Sequence, residues 1–332
     1  MSFVNLPNEQ LRIVSLIPSA TEIVAALGYA DCLVGRSHEC DFPASVKALP
    51  ICTEPKFDPV GSAQQIHERV SELLASALSV YRVKLEVLEA LRPTHIITQA
   101  QCEVCAVSLS DVEQAVKSLM SGTAAEGEKS SIQVVSLQPE RLSDVWDDMM
   151  RVAKAIDNST VSKAAAQQVV ENLRSRLQPI AGDPPSEAKT KVVCIEWTEP
   201  LMAAGNWVPE LVSWAGGETC FGKVGEHSNW LRWEDLSAAD PEVIVVMPCG
   251  YDLAQTRKAT EAMSVGGASP GETRAEWKKL AAVKAGQVYL VDGNQYFNRP
   301  GPRLVESGDI LAEIIRGQPV NSERAAIGWE RF

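Results

Sequence analysis

RIVSLIPSATEIVAALGYADCLVGRS, residues 12–37, opens with a short β-branched apolar run from Arg12 to Leu16 and passes through a Pro-Ser turn. A helical pattern follows from Thr21 to Leu27, and Gly28 stops it. A second short strand around Cys32 to Gly35 then delivers the loop RSHECDFP (36–43). THIITQ (94–99) reads as a buried strand feeding AQCEVC, and IQVVSL (132–137) as a fourth. Strands that alternate with helices predict an α/β lobe with a mostly parallel sheet, and such sheets bind ligands beyond the C-terminal ends of their strands. Each loop just named falls at such an end.

Working outward, 141–157 and 160–180 carry two helical patterns separated by Asn158 and Ser159. The second is rich in strong helix formers and places Val161, Ala164, Ala165, Val169, Leu173 and Leu177 near one face. AGDPPSEAKTK (181–191) reads as an exposed connector. A new α/β pattern follows: strands at 191–197, 241–248 and 287–293, a helix in VPELVSWAGG (208–217), helices from about 252 to 263 and 273 to 284, and a last helix from Arg303 to Arg316. SVGGASPGE reads as a surface turn. The fold class is therefore α/β, with two Rossmann-like lobes. The expected division is an N-terminal lobe over 1–159, a long backbone helix over 160–180 and a C-terminal lobe over 181–332.

The 332 residues are 45% hydrophobic, enough for two cores of this size. A formal charge of -12 argues against nucleic-acid or anionic-membrane binding, which needs a basic face, and favours a neutral or cationic small-molecule ligand. Eight dispersed cysteines do not form a dense disulfide scaffold and are expected to be mostly free thiols. The first thirty residues show no basic region followed by an apolar core and a cleavage site, and no apolar run approaches the ~18 residues a membrane span needs. The sequence as given is expected to be cytoplasmic, or periplasmic or otherwise extracytoplasmic if a leader has been removed, and to act as a monomer.

Several constellations could carry chemistry. Cys102 and Cys105 could share a metal ion, zinc or iron, if His38 and Cys40 from the neighbouring loop completed a Cys3His set; the alternative is a pair of small, partly buried apolar side chains. Ser19 and Thr21 lie at a helix N-terminus, where free N–H groups favour a polar ligand group, with simple N-capping as the competing reading. No tryptophan precedes Trp146, whereas the second lobe has seven. Trp197 and Trp207 lie at a strand end and in a loop, the usual walls for a flat ligand, while Trp214 reads as core. VDGNQYFNRPGPRL (291–304) places Asn294, Tyr296, Phe297, Asn298 and Arg299 on a stiffened loop, and PCGYD (248–252) adds Cys249, Tyr251 and Asp252. His67 and His227 sit in polar surroundings, His95 lies within a strand where a core role is expected, and there is no Gly-x-Ser-x-Gly elbow, so binding without catalysis is the simpler account.

Along nearly its whole length the chain resembles the corrinoid-binding proteins of the class III periplasmic-binding-protein fold, the vitamin B12 receptors of ABC importers. SLIPSATE, LRPTHIITQ, the helix at 160–178, ELVSWAGGE and KAGQVYLVDG look like that family's landmarks. SHECDFP, CEVCAVS, EPLMAAGNWVPELV and DGNQYFNRPGPR look like a leaderless cobalamin-binding branch. The resemblance implies a two-lobed receptor on one rigid interlobe helix, holding a flat metal-centred ligand, cobalamin or another corrinoid, in the cleft between lobes. It also implies one surface glutamate per lobe for an ABC transporter membrane subunit, and Glu218 falls near the second-lobe position. The first lobe offers Tyr81, His38 and cysteines where the classical receptor presents tryptophan. On this reading Tyr81, Gln99, Trp197, Trp207, Tyr251, Tyr296 and Phe297 line the cleft and His38 is an axial ligand. A bare zinc or iron site at His38, Cys40, Cys102 and Cys105 is the second reading. A metal-dependent enzyme using Glu39 or Glu103 as base is the third.

Overall fold

The structure, a computed structural model, describes residues 11–76, 80–100, 107–122, 132–177, 189–265, 274–317 and 328–332. Cys102, Glu103, Cys105, most of the connector and nearly all of SVGGASPGE lie outside them. The chain forms two compact units. The first comprises Met1–Val60, Glu68–Pro139 and Ser143–Leu173; the second comprises Gly61–His67, Glu140–Leu142 and Arg174–Phe332.

The elements up to the middle of the chain are β1 (Ile13–Ser15), α1 (Pro18–Ala26), β2 (Leu33–Arg36), β3 (Thr53–Pro55), α2 (Ala63–Ala75), β4 (Tyr81–Val83), α3 (Leu85–Leu91), β5 (His95–Gln99), α4 (Leu109–Gly122), β6 (Gln133–Leu137), α5 (Leu142–Ile156) and α6 (Thr160–Arg176). Strands β2, β1, β5 and β6 form a parallel sheet in that order. Val14, Leu16 and Ile96 from the sheet pack with Leu88 of α3 and Val112, Ala115, Val116 and Leu119 of α4, the i, i+3, i+4 spacing of a core-facing helix. Helix α1 starts three residues earlier than expected because Pro18 fits the first helical turn, where a missing N–H costs nothing. Its N-cap is Ile17, which makes no side-chain cap bond, so neither Ser19 nor Thr21 is the cap. Gly28, at φ 87°, closes the helix in a conformation that side chains with a Cβ rarely adopt.

The long helix α6 buries a different stripe from the one expected. Ser162, Ala166 and Val170 are buried, while Val161 is 54% exposed and Ala164 is exposed. The stripe steps by four residues, and Tyr29 fixes it by a 3.0 Å hydrogen bond between its hydroxyl and that of Ser162. One polar anchor thus outweighs the exposure of a valine.

The remaining elements are β7 (Thr190–Thr198), β8 (Leu201–Ala203), α7 (Val208–Trp214), β9 (Gly217–Thr219), β10 (Asn229–Trp230), α8 (Trp233–Ala239), β11 (Val243–Val246), α9 (Leu253–Ser264), α10 (Ala275–Lys279), α11 (Ala281–Lys284), β12 (Val288–Val291), α12 (Leu304–Arg316) and β13 (Trp329–Arg331). The helix expected at 273–284 is two short helices meeting at Leu280. The sheet runs β10-β8-β7-β11-β12-β13, with β9 also paired to β7. Its centre, β7, β11 and β12, is parallel; β8, β10 and β13 are antiparallel. The continuous apolar run VIVV of β11 is buried on both faces, and Val193, Ile195, Ile244, Val246 and Leu290 meet Leu236, Met263 and Trp277 in one core.

Candidate functional site

At the first unit's strand ends, β2 runs into the loop Ser37–Cys40. Arg36 is buried, and its guanidinium donates to the carbonyls of Ser37 (3.0 Å), Cys40 (3.1 Å) and Lys47 (3.2 Å), so the cation clamps the loop from within. The clamp presents His38. Thr53, on β3, donates its hydroxyl to Ser37 Oγ at 3.1 Å and accepts from the His38 backbone N–H at 3.1 Å. Its remaining lone pair faces His38 Nδ1 at 2.8 Å, so this network assigns the proton to Nδ1 and leaves the lone pair on Nε2. Burial, aided by Lys84 and Arg36, lowers the His38 pKa to about 4, so the ring is neutral at pH 7. A neutral imidazole whose far nitrogen is hydrogen-bonded is the usual form of a metal-ligating histidine. The Tyr81 ring lies 5.1 Å from that of His38, and its hydroxyl donates to Glu39 at 3.4 Å.

The other first-unit candidates point inward. Cys40 is buried and its sulfur accepts the Thr21 hydroxyl at 3.0 Å. Ser19 and Gln99 are buried and bonded to each other, Ser19 Oγ donating to Gln99 Oε1 at 3.4 Å. Among the described residues no group of three or more His, Cys, Asp or Glu side chains is arranged to hold a metal ion; Cys102 and Cys105 lie outside that set.

In the second unit, Trp197 and Tyr251 stand at the ends of β7 and β11 with ring centroids 5.4 Å apart, both half-buried. The Trp197 indole N–H donates to the Glu199 carbonyl at 3.1 Å. Two expected wall residues prove to be packing instead. Phe297 has no exposed surface and Trp207 only 5%, because the Trp207 indole donates to the Phe297 carbonyl at 2.9 Å and ties both into the interior. Arg299 is likewise buried, donating to Asn294 Oδ1 at 2.8 Å. Asn298 donates to the carbonyls of Met247 and Gly293, both at 3.0 Å. Asp252 belongs to a capping box with Gln255 that starts α9. Asn294 and Tyr296 remain half-buried at the surface of the loop, with Arg303 stacked 5.6 Å from the Tyr296 ring. Glu218 is exposed on β9.

The reading of the residues missed two groups. Thr53, which sets the His38 tautomer, lies fifteen residues away and carries no motif. Glu196 sits one position before Trp197 where β7 carries an extra residue: Ile195 pairs with Ala203 and Trp197 with Met202, leaving Glu196 as a bulge. Nothing in KVVCIEW signals that bulge.

A family model described as periplasmic binding protein matches residues 13–294. The ABC transporter substrate-binding lipoprotein YvrC of Bacillus subtilis is 24% identical over 316 residues, 94% of this chain and 82% of the relative. The vitamin B12-binding protein of Vibrio parahaemolyticus is 23% identical over 310 residues, 92% of this chain and 90% of that protein. Among solved structures, a periplasmic heme binding protein from Pseudomonas aeruginosa superposes with a TM-score of 0.65 at 19% identity, covering 93% of this chain and 95% of its own. With the family model spanning most of both units, the chain belongs to the periplasmic binding protein family.

Proposed function

We propose that the chain is a non-catalytic receptor for a flat, metal-centred macrocycle, a corrinoid of the vitamin B12 type, and that it hands this ligand to the membrane subunit of an ABC transporter. The observation that carries the reading is His38, a neutral imidazole braced at Nδ1 by Thr53, with Nε2 left as a lone-pair donor without a hydrogen-bond partner among the described residues. Such a nitrogen suits the axial position of cobalt or iron in a ring that supplies the equatorial donors itself. In the second unit, taken by itself, the half-buried Trp197 and Tyr251 are apolar faces of the kind on which a flat ring stacks. The family, the B12-binding relative and the heme-binding structural neighbour support the same ligand class.

The test is reconstitution of the full chain with hydroxocobalamin, followed by visible spectroscopy and calorimetry. Wild type is expected to bind with a shift of the corrin bands, and His38→Ala to lose that shift. Absence of both shift and heat in wild type would end the reading. Stoichiometric zinc or iron on the purified protein, without corrin binding, would replace it with a bare metal site.

A further inference from the structure

Glu196 is the carboxylate the proposed function leaves unused. It is half-buried at the β7 bulge, and Ser228 donates its hydroxyl to Oε2 at 2.7 Å. Ser228 also accepts the Gly205 N–H at 3.0 Å, which holds the hydroxyl in place. Among the described residues Oε1 has no partner, and no Lys, Arg or His forms an ion pair with Glu196. Burial lifts its pKa to about 7, with the Ser228 hydrogen bond pulling the other way. A bulge breaks the pleat and re-aims the side chain it carries, and bulges concentrate beside functional sites.

Asn294 supplies the opposite polarity. Arg299 occupies its Oδ1, which leaves Nδ2 as a donor without a partner among the described residues. The Asn294 N–H donates to the Tyr251 carbonyl at 3.0 Å, and the Tyr251 ring faces Trp197, so these groups belong to one stretch of strand ends. The cations of the loop are already engaged: Arg299 by Asn294, Arg303 by Gln295 and the Tyr296 ring.

We propose that Glu196 and Asn294 are specificity positions for peripheral carboxamides, Glu196 accepting from an amide N–H and Asn294 donating to an amide carbonyl. The inference rests on the corrinoid reading and narrows it, because a corrin bears neutral carboxamides whereas heme bears anionic propionates. A carboxylate group meeting Glu196 would be repelled, since no cation among the described residues is paired with that carboxyl.

The test compares cyanocobalamin with a corrin whose peripheral carboxamides have been hydrolysed to carboxylates, and with hemin, in visible titrations of the full chain at pH 8. The two corrins share cobalt, axial ligands and ring, so the metal centre contributes equally to both. Wild type is expected to bind the carboxamide corrin at least tenfold tighter than the hydrolysed one. Glu196→Gln, which removes the negative charge and replaces one carboxylate oxygen by an N–H2 donor, is expected to bring that ratio close to one. Glu196→Asp, which keeps the charge, is expected to preserve the preference and guards against a folding defect in the first variant. A wild type without preference, tighter binding of hemin than of cyanocobalamin, or an unchanged ratio in Glu196→Gln overturns the proposal. Of these, the unchanged ratio leaves the corrinoid reading intact, whereas a wild type that binds neither corrin removes both.

Discussion

The strand ends of the two units handle charge in opposite ways. In the first, a buried arginine, Arg36, is spent on backbone carbonyls and holds the loop that carries one neutral imidazole, His38. In the second, the arginines are turned inward, Trp207 and Phe297 are drawn into the packing, and what remains half-buried is a carboxyl, an amide and the Trp197–Tyr251 pair of rings. The first leaves a nitrogen lone pair, the second hydrogen-bonding groups beside apolar rings. Within each rim the buried arginines serve to shape loops.

The sharpest way to break this contrast is to unseat the second unit's loop. A Cβ on Gly293 would press on the Pro248 carbonyl oxygen and lie 2.8 Å from that of Met247, both backbone atoms that cannot swing away. Gly293→Val is expected to cost about 3 kcal/mol in thermal or denaturant unfolding, the upper range for overpacking. The cost should come with loss of the Asn298 and Arg299 anchors, leaving the His38 network unchanged. Next in size is the first unit's relay. Thr53→Val keeps the shape and removes the oxygen that fixes His38; orienting partners of this kind are worth roughly 10–100-fold in metal affinity. The titration of hydroxocobalamin should weaken by about that factor, while Ser37→Ala, one bond further out, should cost less.

These two substitutions also mark what could be read from the residues. The parallel strands were legible because each is an apolar run ending at a turn signal, as in HIITQ and VIVV, and α5 was legible because Val145, Met149, Val152 and Ile156 recur at helical spacing. The β3–β4 hairpin was not, since TEP and YRV are three residues each, contain proline and arginine, and pair across more than twenty residues. With that hairpin went Thr53, whose contact with His38 exists only once β3 is placed. Trp207 and Phe297 misled for a related reason. An aromatic in a loop can wall a ligand or pin the loop to its core, and the choice depends on where the indole N–H finds its acceptor.

Smaller effects sharpen the second rim. The Trp197–Tyr251 contact is expected to contribute about 1 kcal/mol, measurable as the coupling in a double-mutant cycle with Trp197→Leu and Tyr251→Leu. If it serves only packing, the coupling will appear in unfolding and not in corrin affinity.

The smallest expected effect is a pH slope, and its sign separates the two rims. Glu196 has a folded pKa near 7, above the ordinary value of 4.5, so between those pH values the folded protein holds a proton that the unfolded chain has released. Its contribution to stability is complete below about 4.5 and is lost as pH rises to about 7. Glu196→Gln does not titrate there, so its stability relative to wild type should climb over that interval and level off above it. Partial solvation brings the gain to below about 1 kcal/mol. His38 runs the other way. Its pKa lies near 4, below the ordinary 6.5, so the unfolded chain takes up the proton first and stability falls as pH drops from about 6.5 to about 4. The two windows overlap between about pH 4.5 and 6.5 with opposite sign, so His38→Gln should remove the His38 loss and leave the Glu196 slope uncompensated. Unfolding curves from pH 4 to pH 8 for both variants therefore assign each slope to its own rim, and a single slope removed by both substitutions would mean that the two rims do not titrate independently.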